Sequence, residues 1–197
     1  EIVPLTGQRV VEFGAGTSRV TRLLAPFARS VHAFDNSLHM LSAGAHTLPS
    51  ASACLLAAAD NSRLPLPDAC ADVALAGWSF GHACGWFPTT WPDEIGRYLA
   101  EMRRVLRPGG MAIVIETQGT GQHEPAPPTP ALVAYYRWLE TQHASRFRWI
   151  RTDYQFASVT EADELTRFFF GDDLADRMVR DETTRLPECT GIWWRTY

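Results

Sequence analysis

At 197 residues, 46% hydrophobic and 20% charged, the chain is long enough for one domain with a full core and has the composition of a soluble globular protein. A formal net charge of −4 gives no electrostatic footprint for gripping duplex DNA or an anionic membrane surface, so neither nucleic acid nor membrane is expected as a partner. The four cysteines (Cys54, Cys70, Cys84, Cys189) form no CxxC pair, which argues against a zinc site or a disulfide scaffold and favours a reducing, cytoplasmic setting.

No stretch reaches 18 apolar residues and no signal peptide is visible, although a chain beginning at Glu1 makes that weak evidence. His32, His39 and His46 recur every seven residues, but His32 falls in a strand-like run and a helix aligns the other two only loosely, so no metal is expected. Arg97, Arg103, Arg104 and Arg107 stand at helical spacing and read as a solvated helix face.

In chain order, Gln8 to Phe13 is a short strand-like run that breaks into Gly14-Ala15-Gly16. Ser18 to Leu24 has helical periodicity, ended by Pro26. Ser30 to Phe34 is a second strand, and Asn36 or Ser37 caps a helix running to about Ala45. Ala53 to Ala59 and Ala71 to Ala76 are the third and fourth apolar runs. Asp93 to Leu106 is an amphipathic helix on Ile95, Leu99, Met102 and Val105, stopped by Pro108-Gly109-Gly110 before a fifth strand, Met111 to Ile115. Gln118 to Pro130 is a Gly- and Pro-rich loop, expected at the active face as a lid. Further on come a helix over Ala131 to His143, a strand over Ile150 to Ser158, and a helix start at Thr160-Glu161-Ala162-Asp163 leading to Phe168-Phe169-Phe170, expected to pack on the sheet. Another helix begins at Gly171-Asp172-Asp173, and Thr190 to Tyr197 is a last strand. No repeat or linker divides the chain, so residues 1–197 are expected to form a single domain.

Nearly continuous apolar strands alternating with helices indicate a doubly wound α/β fold, whose ligand lies beyond the carboxyl ends of the strands. Those ends carry Glu12-Phe13-Gly14, Phe34-Asp35, Asp60-Asn61, Trp78-Ser79 and Glu116-Thr117. A glycine turn there is compatible with several readings. A nicotinamide fingerprint wants a third small residue at position 19, where the chain has Arg19, and a phosphate loop needs GK[ST], which is absent.

The stretch "EFGAGTS" (residues 12–18) instead resembles the first motif, [DE]xGxGxG, of the class I S-adenosylmethionine-dependent methyltransferases, with Ser18 in place of the third glycine. Three further stretches fit in register: "FDNSLHML" (34–41), "AADNSRLPLPDACADVAL" (58–75, against GDAxxLPFxxxxFDVV) and "EMRRVLRPGGMAIVIE" (101–116). The resemblance covers about residues 7 to 117. It implies a Rossmann-like doubly wound sandwich with a mostly parallel seven-stranded sheet, whose antiparallel last strand inserts between strands five and six. It makes residues 1–117 the cofactor-binding half and 118–197 the substrate side. The helices that in the family cover the cofactor ahead of strand one have no counterpart in the six residues before Gly7.

What the resemblance implies for the site follows residue by residue. S-adenosylmethionine is the cofactor, held by Glu12, Phe13, Gly14, Ala15, Gly16, Thr17, Asp35, Asn36, Ser37, Met40, Asp60, Asn61, Ser62, Trp78 and Ser79. Glu12 favours the ammonium group, Asp35 accepts both ribose hydroxyls, Asp60 accepts from the adenine amine beside the Asn61 amide, and Met40 packs on adenine. Methyl transfer is an in-line displacement that needs alignment and a dry site, and a general base only if the acceptor must lose its proton early. His82 is the base candidate, with Glu116 and His123 behind it. The family's asparagine-proline-aromatic-aromatic motif for amino methylation is absent after strand four. Seven tryptophans is a high count, and Phe80, His82, Trp86 and Tyr135 are expected to touch a small apolar or aromatic substrate. A catalytically silent binder of the same fold stays open as an alternative, an NAD-dependent reductase less so. A homodimer is compatible with all of these.

Overall fold

The computed structural model describes residues 2–48 and 53–197. The chain runs β1 (Arg9–Phe13), α1 (Arg19–Leu24), β2 (Ser30–Asp35), α2 (Leu38–Ala45), β3 (Cys54–Ala58), β4 (Ala71–Gly77), α3 (His82–Trp86), α4 (Trp91–Val105), β5 (Leu106–Thr120), α5 (Pro130–Thr141), β6 (Arg146–Arg151), β7 (Tyr154–Gln155), α6 (Val159–Phe170), α7 (Asp172–Arg180), β8 (Arg185–Leu186) and β9 (Glu188–Thr196).

Seven strands form one sheet in the order β3-β2-β1-β4-β5-β9-β6, and β7 pairs with β8 apart from it. The β1–β2, β1–β4, β2–β3 and β4–β5 pairs are parallel, whereas β9 runs antiparallel to both β5 and β6. The inserted antiparallel last strand is therefore present as the family resemblance implies. Alternation along β1 explains why its apolar residues are continuous. Val10 faces the layer of α1 and α2 with Val20, Leu24 and Leu41, and Val11 and Phe13 face the layer of α4 and α5 with Ile95, Leu99, Met102 and Leu139. A strand covered on both faces has no polar side to show.

α4 buries Ile95, Leu99, Met102 and Val105, with Asp93 and Glu94 in its first turn and Arg103 and Arg104 in its last, an arrangement that complements the helix dipole. The arginines near it are not simply a solvated face. Arg104 donates to Glu101, Asp68 and the Leu64 and Leu66 carbonyls, and Glu101 accepts the Leu64 amide at 2.6 Å. Arg107 and Arg9 both engage Asp72, Arg97 pairs with Glu94, and Arg103 lies over the Tyr197 ring. The segment 64–68 is thereby tied to α4, which fixes the turn before it, Asp60-Asn61-Ser62, against the sheet edge.

Three expectations are corrected. β5 runs well past Ile115 to Thr120, because β9 pairs with it as far as Thr120. The sixth sheet strand is Arg146–Arg151 rather than Ile150 to Ser158; Tyr154 pairs instead with Leu186 in the small β7–β8 ribbon. Phe168 and Phe169 do not pack on the sheet: they are 80% and 66% exposed at the end of α6. Among the described residues no helix is long and apolar enough to cross a membrane.

Candidate functional site

The carboxyl ends of β1, β2 and β4, with the turn after β3, open into one cleft of about 510 Å³. Its floor is the turn between β1 and α1. Gly14 has φ +68°, and a Cβ there would lie 1.8 Å from Ser79 Oγ, so the loop leaving β4 sits directly on this turn. Gly16 has φ +52° and faces Met40. The Ala15 amide donates to the Phe34 carbonyl at 2.9 Å, which stitches the turn to the end of β2.

Asp35 then organises the wall. One carboxylate oxygen accepts the Gly16 amide at 2.8 Å and the other the Ser37 amide at 2.8 Å. Each oxygen keeps a second lone pair for a ligand hydroxyl. Ser37 in turn caps α2 by accepting the Met40 amide, as its place before the helix predicts. Asp60 accepts both the amide and the hydroxyl of Ser62 through one oxygen, leaving the other unengaged by them. Asn61 Oδ1 is buried without a partner among the described residues.

Glu12, the last but one residue of β1, lines the cleft and is 1% exposed. It accepts the Thr21 hydroxyl at 2.6 Å, yet burial pushes its carboxyl up to about 7. Trp78, at φ +49°, donates its amide to Ile115, so β4 stays paired to its very end before the chain turns. His82 opens α3, lines the cleft and stacks on Trp86 with ring centroids 5.3 Å apart.

Of the residues expected at the cofactor and substrate, Glu12, Gly14, Ala15, Gly16, Thr17, Asp35, Asn36, Ser37, Met40, Asp60, Asn61, Trp78, Ser79, His82 and Trp86 line this one cleft. Ser62 supports Asp60 from beside it. Phe13, Phe80 and Tyr135 do not line it. Phe13 and Phe80 are wholly buried and meet edge to face at 6.0 Å, because the strand pleat and the turn after β4 send both into the core. Tyr135 packs against Trp91 and Tyr136 behind the sheet end, its hydroxyl without a partner among the described residues. Glu116 is also behind the cleft: it accepts the Gly81 amide at 2.8 Å, and burial pushes it up to about 8, so it fixes the backbone that carries His82. His123 borders a separate depression with Arg151 and Arg177, and no residue of the 121–129 loop lines the cleft, so the lid expected there is not at this site.

Sequence reading missed Arg19, Tyr98 and Phe169, all of which line the cleft. Tyr98 had a signal, since it lies on the same helix as the core residues; Phe169 had none. Ser18, where the family has glycine, is in the left-handed region at φ +63° and fully buried, its Oγ without a partner among the described residues. Gly44 makes the room for it: a Cβ at 44 would lie 2.4 Å from Ser18 Oγ and 2.8 Å from the Thr17 carbonyl carbon. Gly44→Ala is accordingly expected to cost about 1–3 kcal/mol by overpacking. Ser18→Gly should recover part of that in the double variant, read as coupling in a thermal-denaturation cycle.

The arrangement fits S-adenosylmethionine. Two glycines keep a cradle open, Asp35 and Asp60 offer acceptors at separate ends, an orphaned amide oxygen waits beside Asp60, and the volume lies within the range of small-ligand sites. Known proteins agree. A family model described as a methyltransferase domain matches residues 11–114. Malonyl-[acyl-carrier protein] O-methyltransferase of Pectobacterium atrosepticum is 30% identical over 106 residues, 54% of this chain and 37% of that protein, so the match spans well under half of the relative. Among solved structures, an S-adenosylmethionine-dependent methyltransferase of Aquifex aeolicus aligns with a TM-score of 0.57 at 15% identity, over 96% of this chain and 83% of that one. An arsenic(III) S-adenosylmethionine methyltransferase of Chlamydomonas reinhardtii aligns at 0.58 and 15%, over 98% and 64%. At such identities the two structures speak for the fold, and the family match together with the cleft carries the conclusion: this chain belongs to the class I S-adenosylmethionine-dependent methyltransferases.

Proposed function

We propose that the chain moves a methyl group from S-adenosylmethionine to a small apolar or aromatic acceptor by in-line displacement. The observation that carries the acceptor class is the aromatic side of the cleft: Trp78, Trp86, Tyr98 and Phe169 line the same opening as the three acids Glu12, Asp35 and Asp60. Trp86 and Phe169 stand 65% and 66% exposed at the rim, where an apolar ligand would cover them.

The cofactor supplies, when bound, a methyl on a sulfonium with a neutral leaving group. The chain's own residues do the rest. Asp35 and Asp60 hold the nucleoside end, and the glycine turn leaves room for the amino-acid end. The aromatic rim excludes water and orients the acceptor. His82, exposed at the start of α3 and stacked on Trp86, is placed to take a proton from the acceptor. Residues through 117 carry the cofactor, and Phe169 is what the 118–197 half contributes to the acceptor side. The matched relative's name describes methylation at an oxygen; the aromatic rim here accepts any acceptor atom carried on an apolar body.

The test is transfer of an isotopically labelled methyl from the cofactor to fractionated metabolite extracts, with products identified by mass spectrometry. Label in apolar fractions supports the reading. Label confined to highly polar products overturns the acceptor class, and cofactor binding without any transfer supports the silent binder instead.

A further inference from the structure

Among the described residues, Arg19 is the one arginine or lysine that lines the cleft, where it shares the lining with three acids. It pairs with none of them and, among the described residues, with no other carboxylate. Instead its guanidinium lies 4.7 Å from the Trp78 ring centroid and 5.0 Å from that of Tyr154, and Nη1 donates to the Tyr154 hydroxyl at 3.1 Å. Two aromatic faces hold the plane of the fork without neutralising its charge. The acids are committed elsewhere: Glu12 to Thr21, Asp35 to two backbone amides, Asp60 to Ser62. A fixed guanidinium with donors to spare, at the mouth of a cleft, matches a carboxylate in a bidentate pair.

We infer that Arg19 is the carboxylate-binding residue of this cleft, with Trp78 and Tyr154 as its supports. The inference rests on the cofactor placement proposed above. The carboxylate belongs either to the amino-acid end of the cofactor or to the acceptor, and binding experiments separate the two.

Calorimetry on the full chain compares S-adenosylhomocysteine, which carries the carboxylate, with 5′-methylthioadenosine, which lacks the whole amino-acid end. Binding of the latter by the wild type verifies the nucleoside site independently of Arg19, so failure of the cofactor placement shows itself there. Arg19→Gln is expected to weaken S-adenosylhomocysteine about ten- to hundred-fold and to leave methylthioadenosine unchanged, the size of a lost charge-assisted pair. That result assigns the carboxylate to the cofactor. If S-adenosylhomocysteine is unaffected, phenylacetate is titrated onto the loaded protein and followed by tryptophan fluorescence. Binding to the wild type that Arg19→Gln abolishes assigns it to the acceptor. No change in either arm, or no phenylacetate binding after an unchanged first arm, overturns the inference. Tyr154→Phe keeps the charge and the ring but removes the hydroxyl, and is expected to bind like the wild type. If it loses as much as Arg19→Gln, Arg19 merely clasps the β7 segment and the inference fails.

Discussion

Replacing Asp35 with alanine is expected to weaken S-adenosylhomocysteine binding by about two orders of magnitude or more. Two ribose hydroxyls donating to a carboxylate are worth about 1.5–3 kcal/mol each, and about 1.4 kcal/mol is a factor of ten. The same carboxylate also sets the geometry of its neighbours, because its two oxygens accept the amides of Gly16 and Ser37. In the proposed ribose role its loss removes a ligand contact, and it also frees the turn that shapes the cleft floor. Asp35→Asn separates the parts: the amide oxygen can still accept one backbone amide, but the charge is gone. It should fall between wild type and alanine in affinity, and its NH2, which now faces the other backbone amide donor, should cost about 1–3 kcal/mol of thermal stability. Calorimetry decides, and an alanine variant with undiminished affinity would remove Asp35 from the ribose role.

The half of the chain that carries Asp35 was the legible half. β1, β2 and β4 are covered on both faces, so their runs are mostly apolar, and the acids Glu12, Asp35 and Asp60 stand where β1, β2 and the turn after β3 open into the cleft. Past Thr120 the signal thins for a physical reason. β6 lies at the sheet edge, and five of the six residues of Arg146–Arg151 are exposed, which leaves no apolar run to read. Tyr154 instead found a partner in Leu186, a pairing between distant segments that local pattern does not encode. Nearness in sequence also misled. Phe80 and Tyr135 lie beside site residues or after a plausible lid, but the core claims both, while Phe169, from a helix expected to pack on the sheet, reaches the cleft. Ser18 shows the same limit at a single atom. Its tolerance in a left-handed turn depends on Gly44, and nothing near position 18 announces that.

Affinity for S-adenosylmethionine is expected to rise by up to about tenfold per pH unit from pH 5 to 7 and to level off above. The cause is Glu12. In the free protein burial holds its carboxyl up to about 7, against 4.5 for the ordinary side chain, despite the Thr21 hydroxyl that donates to it. Below pH 7 the free cleft therefore carries a protonated Glu12. A cationic ligand beside it favours the ionised form, so binding expels a proton, and acid opposes binding. The sign for folding is the reverse. With the folded value above the unfolded one, the stabilisation tied to the protonated form is fully present below about 4.5 and is lost as pH rises through about 7. The free protein should thus lose thermal stability between pH 5 and 8 over the range in which it gains affinity. Glu116, raised to about 8, has the same folding sign but lies outside the cleft, so the Glu12→Gln variant isolates the binding effect. That variant keeps an acceptor for Thr21 and should show a flat affinity profile, with weaker binding than wild type at pH 8. Calorimetry at pH 6.5 in buffers of different ionisation enthalpy counts the released proton directly. Equal proton release by wild type and Glu12→Gln would place the titrating group elsewhere.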